Sequence, residues 1–245
     1  MRLSPVSASE TRTRAPRGAV EQPAVGVAAL VSECLRFAAL RADASCNASA
    51  VFLPHPPIVS LVASAGGVDA ISTVLSRLPN DFPGAVIALV HLSPGSPRTL
   101  PQILERSSAL PVQGALDGQP LVPGRVLVAP PGAHTLITPE RRISLVHSGE
   151  FPPSRPSADL LLTTLALAAG PAAIAVVLSG GGHDGATGAT VVHKHGGTVL
   201  TTDRATSQAF SMPAATIDRD SIEPSVHPVE DVAEVLTMLA LQSSV

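Results

Sequence analysis

Three residues of this chain carry side chains that together could split an ester or amide: Ser64, His91 and Asp184. A serine hydroxyl is a weak nucleophile until an adjacent base takes its proton. An imidazole does that best when a carboxylate fixes its tautomer. Each of the three occupies the same kind of position. Ser64 directly follows the apolar run Ile58 to Ala63, in the turn Ala63-Ser64-Ala65-Gly66-Gly67. His91 directly follows the apolar run Ala85 to Val90. Asp184 lies in the glycine-rich stretch Gly180 to Gly185, after the apolar run Ala172 to Leu178. Sites in an open parallel sheet form at the carboxyl ends of the strands, so three such ends on one edge would assemble nucleophile, base and orienting carboxylate.

Each residue taken singly has a plainer role. A Ser-x-Gly-Gly turn after a first strand also suits phosphate binding. Here the G-x-G-x-x-G spacing is absent, as is the G-x-x-x-x-G-K-[ST] loop, and His91 ends the second strand where a nucleotide site would place an acidic residue. The turn is also not a G-x-S-x-G elbow, because Val62 stands where the first glycine would be, and the order Ser, His, Asp differs from that of α/β-hydrolases. His91 alone could be a structural histidine, and Asp184 alone is suited to capping the helix that follows it. His183 adjoins Asp184, and the remaining histidines follow no metal-ligand spacing, so neither a metal nor any other cofactor is expected.

The elements that must position these residues alternate between apolar strands and helices. Besides the three runs above, helical patterns cover Val68 to Leu78, Thr99 to Arg106, Ala158 to Ala169, Ala186 to His195 and Val229 to Leu241. Short strands are expected at Val112, Val126 to Ala129 and Thr198 to Thr202, and a hairpin strand over Arg141 to Val146. Such alternation predicts an α/β fold: a doubly wound, mostly parallel sheet with helices on both faces and a small antiparallel hairpin. The core must be aliphatic, since the 245 residues hold five Phe, no Trp and no Tyr. Few aromatics and a formal net charge of −3 argue against a nucleic-acid partner.

Residues 1–54 read differently. Met1 to Pro23 is rich in Ser, Thr, Arg, Ala and Pro and is expected to be a disordered tail. Val25 to Arg41 has a weak helical pattern, and Phe52 to Pro57 resembles a linker end. The expected division is a tail and linker over 1–54 and one organised domain over 55–245. The two cysteines, Cys34 and Cys46, require no disulfide, and no run reaches the roughly 18 apolar residues of a membrane span. A cytoplasmic protein without membrane insertion is expected; the sequence leaves its oligomeric state open.

From Val59 to Leu241 the chain resembles the CheB-type protein-glutamate methylesterase domain of bacterial chemotaxis. The resemblance rests on ordered blocks: Val62-Ala63-Ser64-Ala65-Gly66-Gly67, His91-Leu92-Ser93-Pro94-Gly95, Asp117-Gly118 with Ala129-Pro130-Pro131-Gly132-Ala133-His134, Ser154-Arg155-Pro156-Ser157-Ala158-Asp159, Leu178-Ser179-Gly180-Gly181-Gly182-His183-Asp184-Gly185-Ala186, and Phe210-Ser211-Met212-Pro213. It implies a Ser64–His91–Asp184 triad. It also implies γ-glutamyl methyl esters of chemoreceptor-type signalling proteins as substrates, with glutamine deamidation as a side activity. Backbone N–H groups of Ala65, Gly66, Gly67 or Gly181 would hold the oxyanion, and Arg155 and Met212 would contact substrate. Two positions depart from the family pattern: Val62 replaces a usual Gly, and Gly181 a residue that is often Met. Residues 1–54 are shorter than the roughly 100 residues of the family's receiver domain, which is therefore expected to be missing. The alternatives are a non-catalytic regulatory or binding module of the same fold, or a hydrolase of another ester or amide.

Overall fold

The computed structural model describes residues 55–147, 156–219 and 222–242. The tail and the helix expected over Val25 to Arg41 lie outside those residues, as does Arg155.

Three apolar runs, β1 (Ile58–Ala63), β2 (Ala85–Val90) and β7 (Ala173–Val177), form the middle of a seven-stranded parallel sheet. Every residue of these strands is buried. A strand covered on both faces needs no polar alternation, and their runs of Val, Ile, Leu and Ala meet that demand. With β3 (Val112–Gly114), β4 (Val126–Val128), β8 (Thr198–Thr202) and β9 (Ser225–His227), the order is β3-β4-β2-β1-β7-β8-β9. β5 (His134–Ile137) and β6 (Ile143–Val146) form the separate antiparallel hairpin.

Alternate residues of each strand feed different cores. Val59, Leu61, Ala63, Val86, Ala88 and Val90 pack with α1 (Gly67–Arg77), α2 (Leu100–Glu105) and α6 (Val232–Gln242). Val62, Ile87, Leu89, Ala175 and Val177 pack on the opposite face with α3 (Ala158–Ala169), α4 (Ala186–Lys194) and Met212 of α5 (Ser211–Ile217). The architecture is the doubly wound α/β sheet with a small hairpin that the alternating pattern predicts.

Three elements differ from expectation. The seven-residue helix α5 has Pro213 in its first turn and no amphipathic stripe, so helical periodicity does not reveal it. The edge strand β9 has three residues, Ser-Val-His, none fully buried, and its sequence carries no apolar run. The last helix begins at Val232 rather than Val229 because a turn closed by Asp231 N–H to Pro228 O precedes it.

Candidate active site

The chain runs outward from β1 through β2 to β4, then returns to place β7 on the other side of β1. That reversal makes the carboxyl ends of β1 and β7 the switch point at which open α/β sheets form their sites. Ser64 follows β1 there. Its backbone N–H donates to Ser179 O at 2.9 Å, fastening the serine turn to the turn after β7. Gly66 adopts φ 73°, which an L side chain rarely adopts, and a Cβ on it would collide with Gln208 and lie 2.9 Å from Ser179 Oγ. Ser179 itself donates to Ala65 O at 2.7 Å and accepts from Ala209 N–H at 2.9 Å. One buried hydroxyl therefore joins the serine turn to the loop before α5.

His91 sits beside Ser64. Ala63 pairs with Val90 in the β1–β2 ladder, and His91 N–H donates to Ala63 O at 3.0 Å. Val62 and Leu89 face the α3 side of the sheet while Ala63 and Val90 face the other. Strand alternation thus sends the next residues, Ser64 and His91, toward α3. Asp184 waits on that side. Its Oδ2 is 2.8 Å from His91 Nε2, and the two side chains are only 16% and 17% exposed.

Asp184 is held by more than His91. It accepts from Ala158 N–H at 2.8 Å, Asp159 N–H at 2.9 Å and the Ser157 hydroxyl at 3.1 Å. It therefore caps α3 across the junction, not the helix that follows it in sequence. Burial pushes its carboxyl up, yet the hydrogen bond from His91 and the N–H groups of Asp159 and Ala158 outweigh this, and the net effect is a value below the ordinary carboxylate one. An ionised carboxylate only accepts, so His91 Nε2 carries the proton. Nδ1 is then the nitrogen left to accept from a hydroxyl.

The turn after β7 packs closely on the serine. A Cβ on Gly180 would collide with Met212 Sδ and lie 3.0 Å from Ser64 Cβ. Met212 is fully buried beneath this turn. It supports the site and offers no surface for the substrate contact expected of it. Among the expected oxyanion donors, Gly67 N–H is spent on Ser64 O at 2.9 Å, closing the turn. Gly181 is exposed, with open space around its Cβ position. Val62, the departure before the serine, is buried, with a methyl 3.6 Å from where a Cβ of Gly185 would stand, so its extra volume fills the α3-side core. Sequence reasoning missed the second roles of Ser157, Asp159 and Ser179. The only signal was their place inside the ordered blocks.

A sheet of this topology, with a serine, a histidine and an aspartate gathered at its switch point, defines a doubly wound α/β protein with its candidate site at the carboxyl ends of β1, β2 and β7. Residues 59–236 match the CheB methylesterase family, and the chain belongs to that family. A protein-glutamate methylesterase/protein-glutamine glutaminase of Myxococcus xanthus (strain DK1622) is 36% identical over 183 residues, which are 75% of this chain and 52% of that protein. A protein of the same name from Moorella thermoacetica is 32% identical over 238 residues, 96% of this chain and 53% of its own. The crystal structure of the Thermotoga maritima CheB methylesterase catalytic domain superposes with a TM-score of 0.71 at 31% identity, covering 76% of this chain and 99% of that domain. The chain spans about half the length of the curated relatives it matches. Among the described residues, no helix is long and apolar enough to cross a membrane.

Proposed function

We propose that this chain hydrolyses γ-glutamyl methyl esters on a methylated, chemoreceptor-type signalling protein in the cytoplasm. The observation that carries this reading is the 2.8 Å contact between His91 Nε2 and Asp184 Oδ2, set beside Ser64 at the switch point. Ser64 Oγ attacks the ester carbonyl and passes its proton to His91 Nδ1. The imidazolium that forms is balanced by Asp184. The oxyanion is met by backbone N–H groups of Ala65, Gly66 and Gly181. Removing one such donor slows turnover by about 100- to 1000-fold in enzymes of this kind. The tetrahedral intermediate collapses and His91 returns the proton to the departing methanol. Water then gives a proton to His91, attacks the acyl-enzyme and frees the glutamate with Ser64 restored. The names of the relatives, methylesterase and glutaminase, support a glutamyl side-chain carbonyl as the target, with ammonia replacing methanol in deamidation.

The test is methanol release from a chemoreceptor carrying isotopically labelled methyl esters. Ser64→Ala should abolish release while leaving the fold intact by circular dichroism. Release by Ser64→Ala at the rate of the unmodified protein would overturn the proposal.

A further inference from the structure

The start of α3 and the start of α4 exchange carboxylates. Asp184, one residue before Gly185, accepts from the N–H groups of Ala158 and Asp159 at the start of α3. Asp159, in the first turn of α3, accepts from Gly185 N–H at 2.9 Å and Gly188 N–H at 2.7 Å at the start of α4. Neither helix is capped only by its own chain neighbours. The crossing is close: a Cβ on Gly188 would lie 2.6 Å from Leu162 Cβ and 2.8 Å from Asp159 O. Without a side chain at Gly188, the Asp159 carboxylate reaches two N–H groups of α4 at once.

We propose that Asp159 is a positioning residue for the Asp184–His91 pair. The inference rests on the triad reading above. Residue 159 grips Asp184 twice. Its N–H bonds the Asp184 carboxylate directly, and its own carboxylate holds the N–H of the very next residue, Gly185. Gly185 sits at φ 103°, a conformation with little intrinsic preference for one geometry in glycine, so the bond from Asp159 supplies the restraint that the backbone lacks. Two carboxylates so close also repel. Burial raises the Asp159 carboxyl, the charge of Asp184 adds to the rise, and the N–H groups of Gly188, Gly185 and Thr187 oppose it. Satisfying the helix starts alone would not require two half-buried acids. Ser157 already caps α3 through its hydroxyl, which accepts from Leu160 N–H. The arrangement fits a demand that Asp184 stay fixed where His91 meets it, in spite of that repulsion.

Asp159→Asn keeps the volume and one acceptor oxygen but weakens the hold on Gly185 and Gly188. Wild-type and variant protein are titrated with a serine-directed fluorophosphonate. Turnover of a peptide γ-glutamyl methyl ester is then measured per titrated site, and the low-field imidazole N–H proton is followed by NMR. A full titre is expected, with kcat per site lower by about 10- to 100-fold, as for misplacements of an ångström or less. KM should stay within about twofold, and the N–H resonance should shift or broaden. If the titre falls while kcat per titrated site is unchanged, or if nothing changes, the inference is overturned. Should the variant not fold, Asp159→Ser carries the same measurements; failure of both to fold assigns Asp159 to the fold alone and also overturns it. A wild-type protein that neither labels nor turns over would instead sink the triad reading.

Discussion

Replacing Asp184 by Asn should damage stability and chemistry together, because one carboxylate serves both. It accepts from His91, Ser157, Ala158 and Asp159. An amide offers one oxygen. Its NH2 must face either the His91 and Ala158 pair or the Asp159 and Ser157 pair, so one N–H at the α3 start meets a donor in either orientation. Losing a hydrogen bond to a charged group costs about 1.5–3 kcal/mol. The lost negative charge at a helix start adds about 0.3–1 kcal/mol. The sum, about 2–4 kcal/mol, should lower Tm by roughly 4–16 °C in a domain of this size. On the catalytic side, one orientation forces the proton onto His91 Nδ1, where it cannot accept from Ser64. The other leaves the imidazolium without a counter-charge. The expected fall in kcat is about 100- to 10,000-fold. Thermal melts and methanol release measure the two effects separately. An inactive variant with an unchanged melt would refute the capping account. A destabilised variant with undiminished turnover would refute Asp184 as the orienting carboxylate.

The stability deficit of Asp184→Asn should depend on pH. Asp184 has a lowered folded-state value, so its contribution is complete above the unfolded carboxylate value of about 4 and is lost as pH falls through the lower folded one. The gap in Tm between wild type and variant should therefore be widest near neutrality and shrink as pH falls below about 4, and a constant gap from neutral to acid would contradict this. Gly180→Ala should cut kcat at least tenfold with little change in KM, because its Cβ would crowd Met212 and Ser64. Adding Met212→Ala should restore part of the loss by making room. A double variant as slow as the single one would show that Met212 is not the obstacle.

The centre of the fold was legible because its strands obey a simple rule. A strand buried on both faces must be apolar throughout, and Ile58–Ala63 and Ala85–Val90 appear in the structure with the expected bounds. The positions of Ser64 and His91 followed from those ends, since a polar residue just past a buried strand lies at the sheet edge. The contact of His91 with Asp184 was legible only as a shared edge. It depends on the turn after β7 bending back past β1, and glycine-rich turns encode permission to bend without the direction. Asp184 was expected to suit its own following helix, because capping signals read along the chain cannot identify a partner helix brought in by tertiary packing. The burial of Met212, expected to contact substrate, is illegible for a related reason: it arises from the short helix α5, whose sequence has no helical stripe.

The exchange of carboxylates between α3 and α4 also bears on how the protein comes into being. His91 and Asp184 are 93 residues apart in the chain, and every pairing in the main sheet is parallel. Such non-local contacts form late and slowly. On the proposed mechanism, a ribosome-bound chain that has exposed Ser64, His91 and α3, but not yet residue 184, holds a nucleophile and a base. It lacks the carboxylate that orients the base, and the first N–H groups of α3 are still without the acceptors they have in the finished fold. If the proposed hydrolysis holds, competence for it and the seating of a core helix should therefore arrive in the same folding event, and unfinished or partly unfolded copies should show no esterase activity.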